Sequence, residues 1–275
     1  LAMCGCIMQN VLRNPLASAS TLGVSQGASF GAAVSIIYLG AGTQVNTGSG
    51  SVASLTITNP AMVTFCAFLG GVATTAVILA LSRLRGVTPS VMVLAGVAIS
   101  SMFSGGTTLV QYFADDVMVA TVVHWTFGNL GRAGWGEITL IAELSLVAFL
   151  FFYHRWSYNA MESGTHTAKS LGVPVDFLIP TSMVICALIS SVPVAFVGCI
   201  NFIGLIASHI MRRFVGNDFR FLIPCTALCG AVLMLASDIA CRMLVPPVVL
   251  PIGALTSFLG APLFLWLIMR RGSVK

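Results

Sequence analysis

Long apolar stretches divided by short polar gaps run through this chain from its first residue. A segment needs about twenty apolar residues to cross roughly 30 Å of hydrocarbon. By that measure the pattern predicts spans at 24–41, 60–82, 88–113, 136–154, 174–198, 221–243 and 250–269, a short one at 201–213, and at 1–12 the end of a helix that begins upstream. The expectation is therefore an all-α, polytopic transmembrane bundle with nine visible segments. At about 1.5 Å per residue the 201–213 segment reaches only about 20 Å. It should start below the surface, after an irregular turn near Pro193, Gly198 and Asn201 that the protein itself shields from lipid. Of the polar gaps, 42–59 is uncharged and rich in Gly, Ser and Thr, and reads as a flexible connection. The gap at 155–173 is patterned: Thr165–Ser170 predicts a short helix, Gly172 its left-handed terminator, and Pro174 suits the first turn of the next span. Such a loop offers a partner a small rigid knob, or else is an idle connector.

Composition removes the soluble alternative. Hydrophobic residues make up 57% of the chain, charged ones 8%, and the mean hydropathy is +0.98, which leaves too little polar surface to keep 275 residues dissolved. Charge then orients the bundle. Arg13, Arg83, Arg85, Arg155, Lys169, Arg212, Arg213, Arg220, Arg270, Arg271 and Lys275 fall in gaps on one face if the spans alternate, and only Arg132 and Arg242 fall on the other. Cytoplasmic loops retain Lys and Arg, so the first face, with the C-terminus, is assigned to the cytoplasm. The net charge of +5 is accounted for by these span-end residues, and no basic run with interleaved aromatics points to nucleic acid. The eight cysteines lie in or beside apolar stretches without histidine or carboxylate company, so no metal site is expected.

Reactive groups are scarce. Glu143, Asp238 and His209 are the ionisable residues inside or near spans. Asp238 and Arg242, four apart, suit an ion pair on one helix face; Glu143 suits a cavity or a protomer contact; His209 suits packing at a helix end. No metalloprotease or nucleophile-elbow motif and no paired carboxylates appear, so no catalytic residue and no enzyme activity are expected. A glycine-rich phosphate loop is also missing, so uphill transport by this chain would need nucleotide hydrolysed by a separate subunit, for which 155–173 is the natural contact. Gly23, Gly27 and Gly31 recur every four residues, which allows close approach of a neighbouring helix. An ion-coupled secondary transporter acting without an ATPase is the alternative, and would need a midplane site built from Glu143 and Asp238.

Six separated strings carry a resemblance. They are RNPLAS with TLGVSQGASFGA (13–32), VLAGVAIS (93–100), AKSLGVPVDF (168–177), NFIGLIASHIMRRFVGND (201–218), LIPCTALCGAVLMLASDIACR (222–242) and LPIGALTSFLGAPLFLWLI (250–268). Together they resemble the FecCD family, the permease subunits of ABC importers for iron–siderophores, haem and cobalamin. The resemblance implies a single transmembrane permease domain over 1–275, truncated at its N-terminus relative to a ten-span subunit, in a bacterial plasma (inner) membrane. It implies a second permease subunit, as a homodimer in preference to a heterodimer, two ATP-binding subunits, an extracytoplasmic substrate-binding protein, and surrounding membrane lipid. ATP and Mg would sit on the partner ATPase, with no cofactor in this chain. By position, Thr167, Ala168, Lys169, Ser170, Leu171, Gly172, Val173 and Pro174 match the loop that couples to the ATPase, and Thr88, Pro89 and Ser90 match the cytoplasmic gate. Arg242 matches the arginine that docks the binding protein. The chain departs from the family's strings at Ser208, where proline is usual before the histidine, at Asn201 and at Val249.

Overall fold

The computed structural model describes residues 1–45, 55–82, 89–147, 150–246 and 249–272. Helices α1 (Ala2–Val11), α2 (Val24–Ile37), α3 (Pro60–Ser82) and α4 (Pro89–Tyr112) are followed by α5 (Asp116–Thr126), a 3-10 turn at Leu130–Arg132, α6 (Trp135–Val147), α7 (Leu150–Tyr153), α8 (Arg155–Glu162) and α9 (Thr165–Ser170). Helices α10 (Val175–Val197), α11 (Ile203–Val215), α12 (Phe219–Met243) and α13 (Ile252–Gly272) complete the bundle. Among the described residues, α3, α4, α10 and α12 are long and apolar enough to cross a bilayer. With 14 and 13 residues, α2 and α11 reach only about 20 Å and end inside the bundle's depth.

Two differences from the predicted layout have local causes. The stretch between 113 and 136 is not a plain gap: Asp115 and Asp116 interrupt the hydropathy, yet the 11-residue α5 that starts at Asp116 buries Thr121, Val122 and Trp125. The 42–59 connection is tied at its ends by an antiparallel pairing of Thr43–Val45 with Leu55–Ile57, so it does not begin as free chain.

Close packing is set by glycine. Gly27 and Gly31 of α2 face α3, where a side chain at Gly27 would strike the carbonyl of Gly70 and one at Gly31 the carbonyl of Cys66; Gly23 is not on that helical face but is the left-handed residue (φ +88°) before α2, where a side chain would sit 2.7 Å from Ser100 Oγ on α4. Without side chains at the contact, backbones approach closely and gain dispersion where water gives no driving force. Helix α1 is enclosed by α8, α10, α11 and α12, with Cys4, Cys6, Ile7, Met8 and Val11 all at most 1% exposed. Gly5 of α1 meets Gly204 of α11, where an added side chain would lie 2.7 Å from the Gly204 carbonyl oxygen.

Candidate functional site

The knob is built as the sequence pattern predicts. Helix α9 ends in Ser170, whose hydroxyl donates to the Thr167 carbonyl at 2.8 Å, and Gly172 at φ +83° turns the chain so that its N–H reaches the Lys169 carbonyl at 3.0 Å. Such a left-handed terminator satisfies last-turn carbonyls that would otherwise lack donors. Ala168 roots the helix: it is 0% exposed and belongs to the same core as Tyr158, Met161, Val175 and Phe219. Leu171, in contrast, is 67% exposed at the tip. Thr167, Lys169, Ser170, Gly172 and Pro174 are exposed with it, and Val173 is half-buried. The result is a rigid projection with an apolar tip.

Behind the knob, α8 is amphipathic and fixed by a polar network that sequence reasoning did not find. Tyr158 Oη lies 2.8 Å from Ser182 Oγ on α10. Asn159 donates from Nδ2 to Asp218 Oδ1 at 2.9 Å and accepts at Oδ1 from the Phe219 N–H at 2.8 Å, which ties α8 to the start of α12. Asp218 caps α12 by accepting the Arg220 N–H at 3.0 Å, and its other oxygen pairs with the Arg220 guanidinium. The Arg220 hydrogen bond first, then Asn159 and the Arg220 backbone N–H, hold the Asp218 carboxyl well below the usual carboxylate range. Glu162, the last residue of α8, accepts from Asn10 Nδ2 at 3.0 Å and Asn217 Nδ2 at 2.8 Å, and pairs with Arg212 at 3.6 Å. Arg155 and Arg220 both lie over the Trp156 ring. Arg13, Arg155, Lys169, Arg212 and Arg220, assigned to one face by the span pattern, are thus gathered at one end of the bundle.

Arg132 and Arg242, the two cations that the span pattern assigns to the other face, lie near each other at the opposite end. Arg132 donates to the carbonyls of Trp125 at 3.3 Å and His124 at 2.9 Å, so it caps the last turn of α5. Arg242 lies in the last turn of α12 and pairs with Asp238 through Nε at 2.8 Å, the helix-face ion pair that the spacing suggested. A side chain at Gly131 would meet the Arg242 guanidinium at 3.7 Å, so the turn that carries Arg132 sits beside Arg242. With its side chain half exposed, Arg242 remains open to a partner.

Three chain breaks interlock at this end. Asn129 N–H donates to the Val197 carbonyl at 2.8 Å and Gly253 N–H to the Phe127 carbonyl at 2.9 Å. Gly128 and Gly198 have φ of +72° and +95°, and a side chain at Gly198 would lie 2.5 Å from the Trp125 carbonyl oxygen. The irregular turn expected near Gly198 and Asn201 is therefore real, enclosed by protein, and followed by Phe202 at φ +65° before α11. Pro193 lies inside α10. Where the family string has proline, Ser208 donates to the Gly204 carbonyl at 2.8 Å within α11.

Of the other expected residues, His209 stands midway along α11 and not at its end, with Nδ1 2.9 Å from the Leu205 carbonyl and 3.4 Å from Gln9 Nε2. Glu143 is exposed on α6. Thr88 lies outside the described residues; Pro89 and Ser90 open α4.

Three comparisons bear on this arrangement. The model of the FecCD transport family matches residues 1–270. A protein of Methanocaldococcus jannaschii, provisionally named an ABC transporter permease, is 52% identical over 271 residues, covering 98% of this chain and 76% of the relative. The hemin transport system permease HmuU of Yersinia pestis is 35% identical over 272 residues, covering 98% and 78%. The vitamin B12 import permease BtuC of Escherichia coli is 33% identical over 272 residues, covering 99% and 78%. Among solved structures, a provisionally assigned metal-chelate type ABC transporter in an inward-facing conformation superposes with a TM-score of 0.84 at 28% identity, over 98% of this chain and 81% of that one.

Proposed function

This chain belongs to the FecCD transport family, and from that premise we propose that it is the membrane-spanning subunit of an ATP-driven importer that carries a metal chelate such as a ferric siderophore, haem or a corrinoid. One observation carries the coupling role: α9 is a short helix seated in the core through Ala168 and capped by left-handed Gly172, with Leu171 exposed at its tip. That shape suits entry into a groove on a separate ATPase, which holds ATP and Mg. Motion of the ATPase then reaches the spans through α8 and α9. The gathering of arginines at the α8–α9 end supports placing that end, and the C-terminus, in the cytoplasm. Arg242, at the far end, offers a charge for a substrate-binding protein, and a second copy of this chain completes the path.

An ion-driven carrier has less support. Asp238 is engaged by Arg242 and Glu143 is exposed, so the carboxylates it would need do not meet at a midplane site.

The test replaces Leu171 by Glu and Gly172 by Val in the full complex. Loss of ATPase association and of chelate uptake into proteoliposomes, with the permease still folded, is the expected result. Retention of both in both variants overturns the coupling assignment.

A further inference from the structure

Glu162 is where three otherwise separate parts of the bundle meet on one carboxylate. Its two oxygens accept from Asn10 at the end of α1 at 3.0 Å and from Asn217 in the α11–α12 turn at 2.8 Å, and Arg212 of α11 pairs with it at 3.6 Å. Arg212 also donates to Asn217 Oδ1 at 3.0 Å and lies over the Phe219 ring at 5.6 Å, so the contact is a closed network. Glu162 itself is the final residue of α8, and only Ser163 and Gly164 separate it from α9. Gly164 at φ +119° makes that step a fixed turn. Displacement of α9 therefore arrives first at this carboxylate.

The surroundings leave it room to respond. A cavity of about 220 Å³ lies beside it, lined among others by Gln9, Asn10, Arg13, Glu162, His209 and Arg212. Gln9 and Asn10 are 5% and 4% exposed, and Gln9 Oε1 and Asn10 Oδ1 have no donor among the described residues. A packed apolar contact would resist a shift of α8, whereas a polar cavity flanked by two guanidinium groups and two unused acceptors permits hydrogen bonds to be exchanged.

We infer that Glu162 is a positioning residue that transmits displacement of α9 to α11 by holding Arg212 and Asn217. The inference rests on the coupling role proposed above for α9. It assigns to this chain a specific connector between the ATPase contact and a helix whose other end reaches the irregular turn at 198–202. The carboxylate is necessary because it accepts on both oxygens and carries the charge that Arg212 meets; no neutral side chain of that size does all three.

The experiment uses the assembled transporter and needs no knowledge of the cargo. Amide hydrogen exchange in α11, Ile203–Val215, is measured with and without a non-hydrolysable ATP analogue, for the unchanged chain, Glu162→Ala, Asn217→Ala and the double variant. The analogue should alter exchange of α11 in the unchanged complex. In Glu162→Ala that response should fall roughly tenfold, while ATPase-subunit affinity stays unchanged. The double variant should be no worse than the worse single one, because both substitutions cut one connection. If the Ala variant fails to assemble, Glu162→Gln, which keeps an acceptor and loses the ion pair, should show the same loss in part. A full response in Glu162→Gln and Glu162→Ala overturns the inference. No α11 response in the unchanged complex with ATPase bound overturns it as well, whereas no bound ATPase overturns the proposed function instead.

Discussion

The two ends of this bundle are held together by opposite means. At the end that carries Arg132 and Arg242, chain breaks at 127–129, 197–202 and 252–253 touch through backbone, with Gly128, Gly198 and Gly253 removing every atom that would keep them apart. At the α8–α9 end the connections are side chains: Asn10, Asn159, Glu162, Arg212, Asn217 and Asp218. Backbone wedged against backbone has one arrangement. Long polar side chains on separate helices have several of similar energy, so under the proposed coupling displacement would be absorbed and redirected there while the other end acts as a fixed frame.

If that division is correct, the glycine end should be the most sensitive. Gly198→Val forces a left-handed backbone on a β-branched residue and drives its side chain into the Trp125 carbonyl, and should cost about 2–5 kcal/mol, seen as a large drop in melting temperature in detergent. A loss as small as that of a surface substitution would refute the idea of a fixed frame. At the polar end, Asp218 should respond to pH. Its carboxyl is depressed in the folded chain, so its contribution is complete above the ordinary value of about 4 and is lost as pH falls towards the folded value. The melting difference between the unchanged chain and Asp218→Asn should thus be constant from neutral pH down to about pH 5 and shrink below about pH 4. Smallest of all should be Lys169→Ala. Its 2.8 Å pair with Asp176 is exposed on both sides, so stability should change by less than about 1 kcal/mol in thermal unfolding.

Local signals explain what could be read in the amino-acid string. The α9 helix with its Gly172 terminator, the Gly27 and Gly31 contact and the Asp238–Arg242 pair all depend on residues within a few positions of one another, and each is formed as the spacing predicts, whereas Gly23 turns out to precede α2 in a left-handed turn. The span pattern placed α3 within a residue of its observed end because 23 apolar residues leave no other solution in a membrane. Helix α5 escaped because two aspartates stand at its start and its 11 residues are too few to register as a span. The Glu162 network escaped for a different reason: its bonds link residues 152 and 55 positions apart, and no single segment looks unusual. The same holds for Gly128, Gly198 and Gly253, whose roles exist only when three distant breaks coincide.

The enclosure of α1 has a consequence for biogenesis. This helix is made before the other helices described here, yet Asn10 waits for Tyr158, 148 residues later, and Gln9 for His209, 200 residues later. Until those neighbours are inserted, two uncapped amides stand in or near lipid with nothing to bond. Packing around α1 is therefore completed late, and translation that stalls before residue 209 should leave an intermediate dependent on the insertion machinery or exposed to membrane proteases.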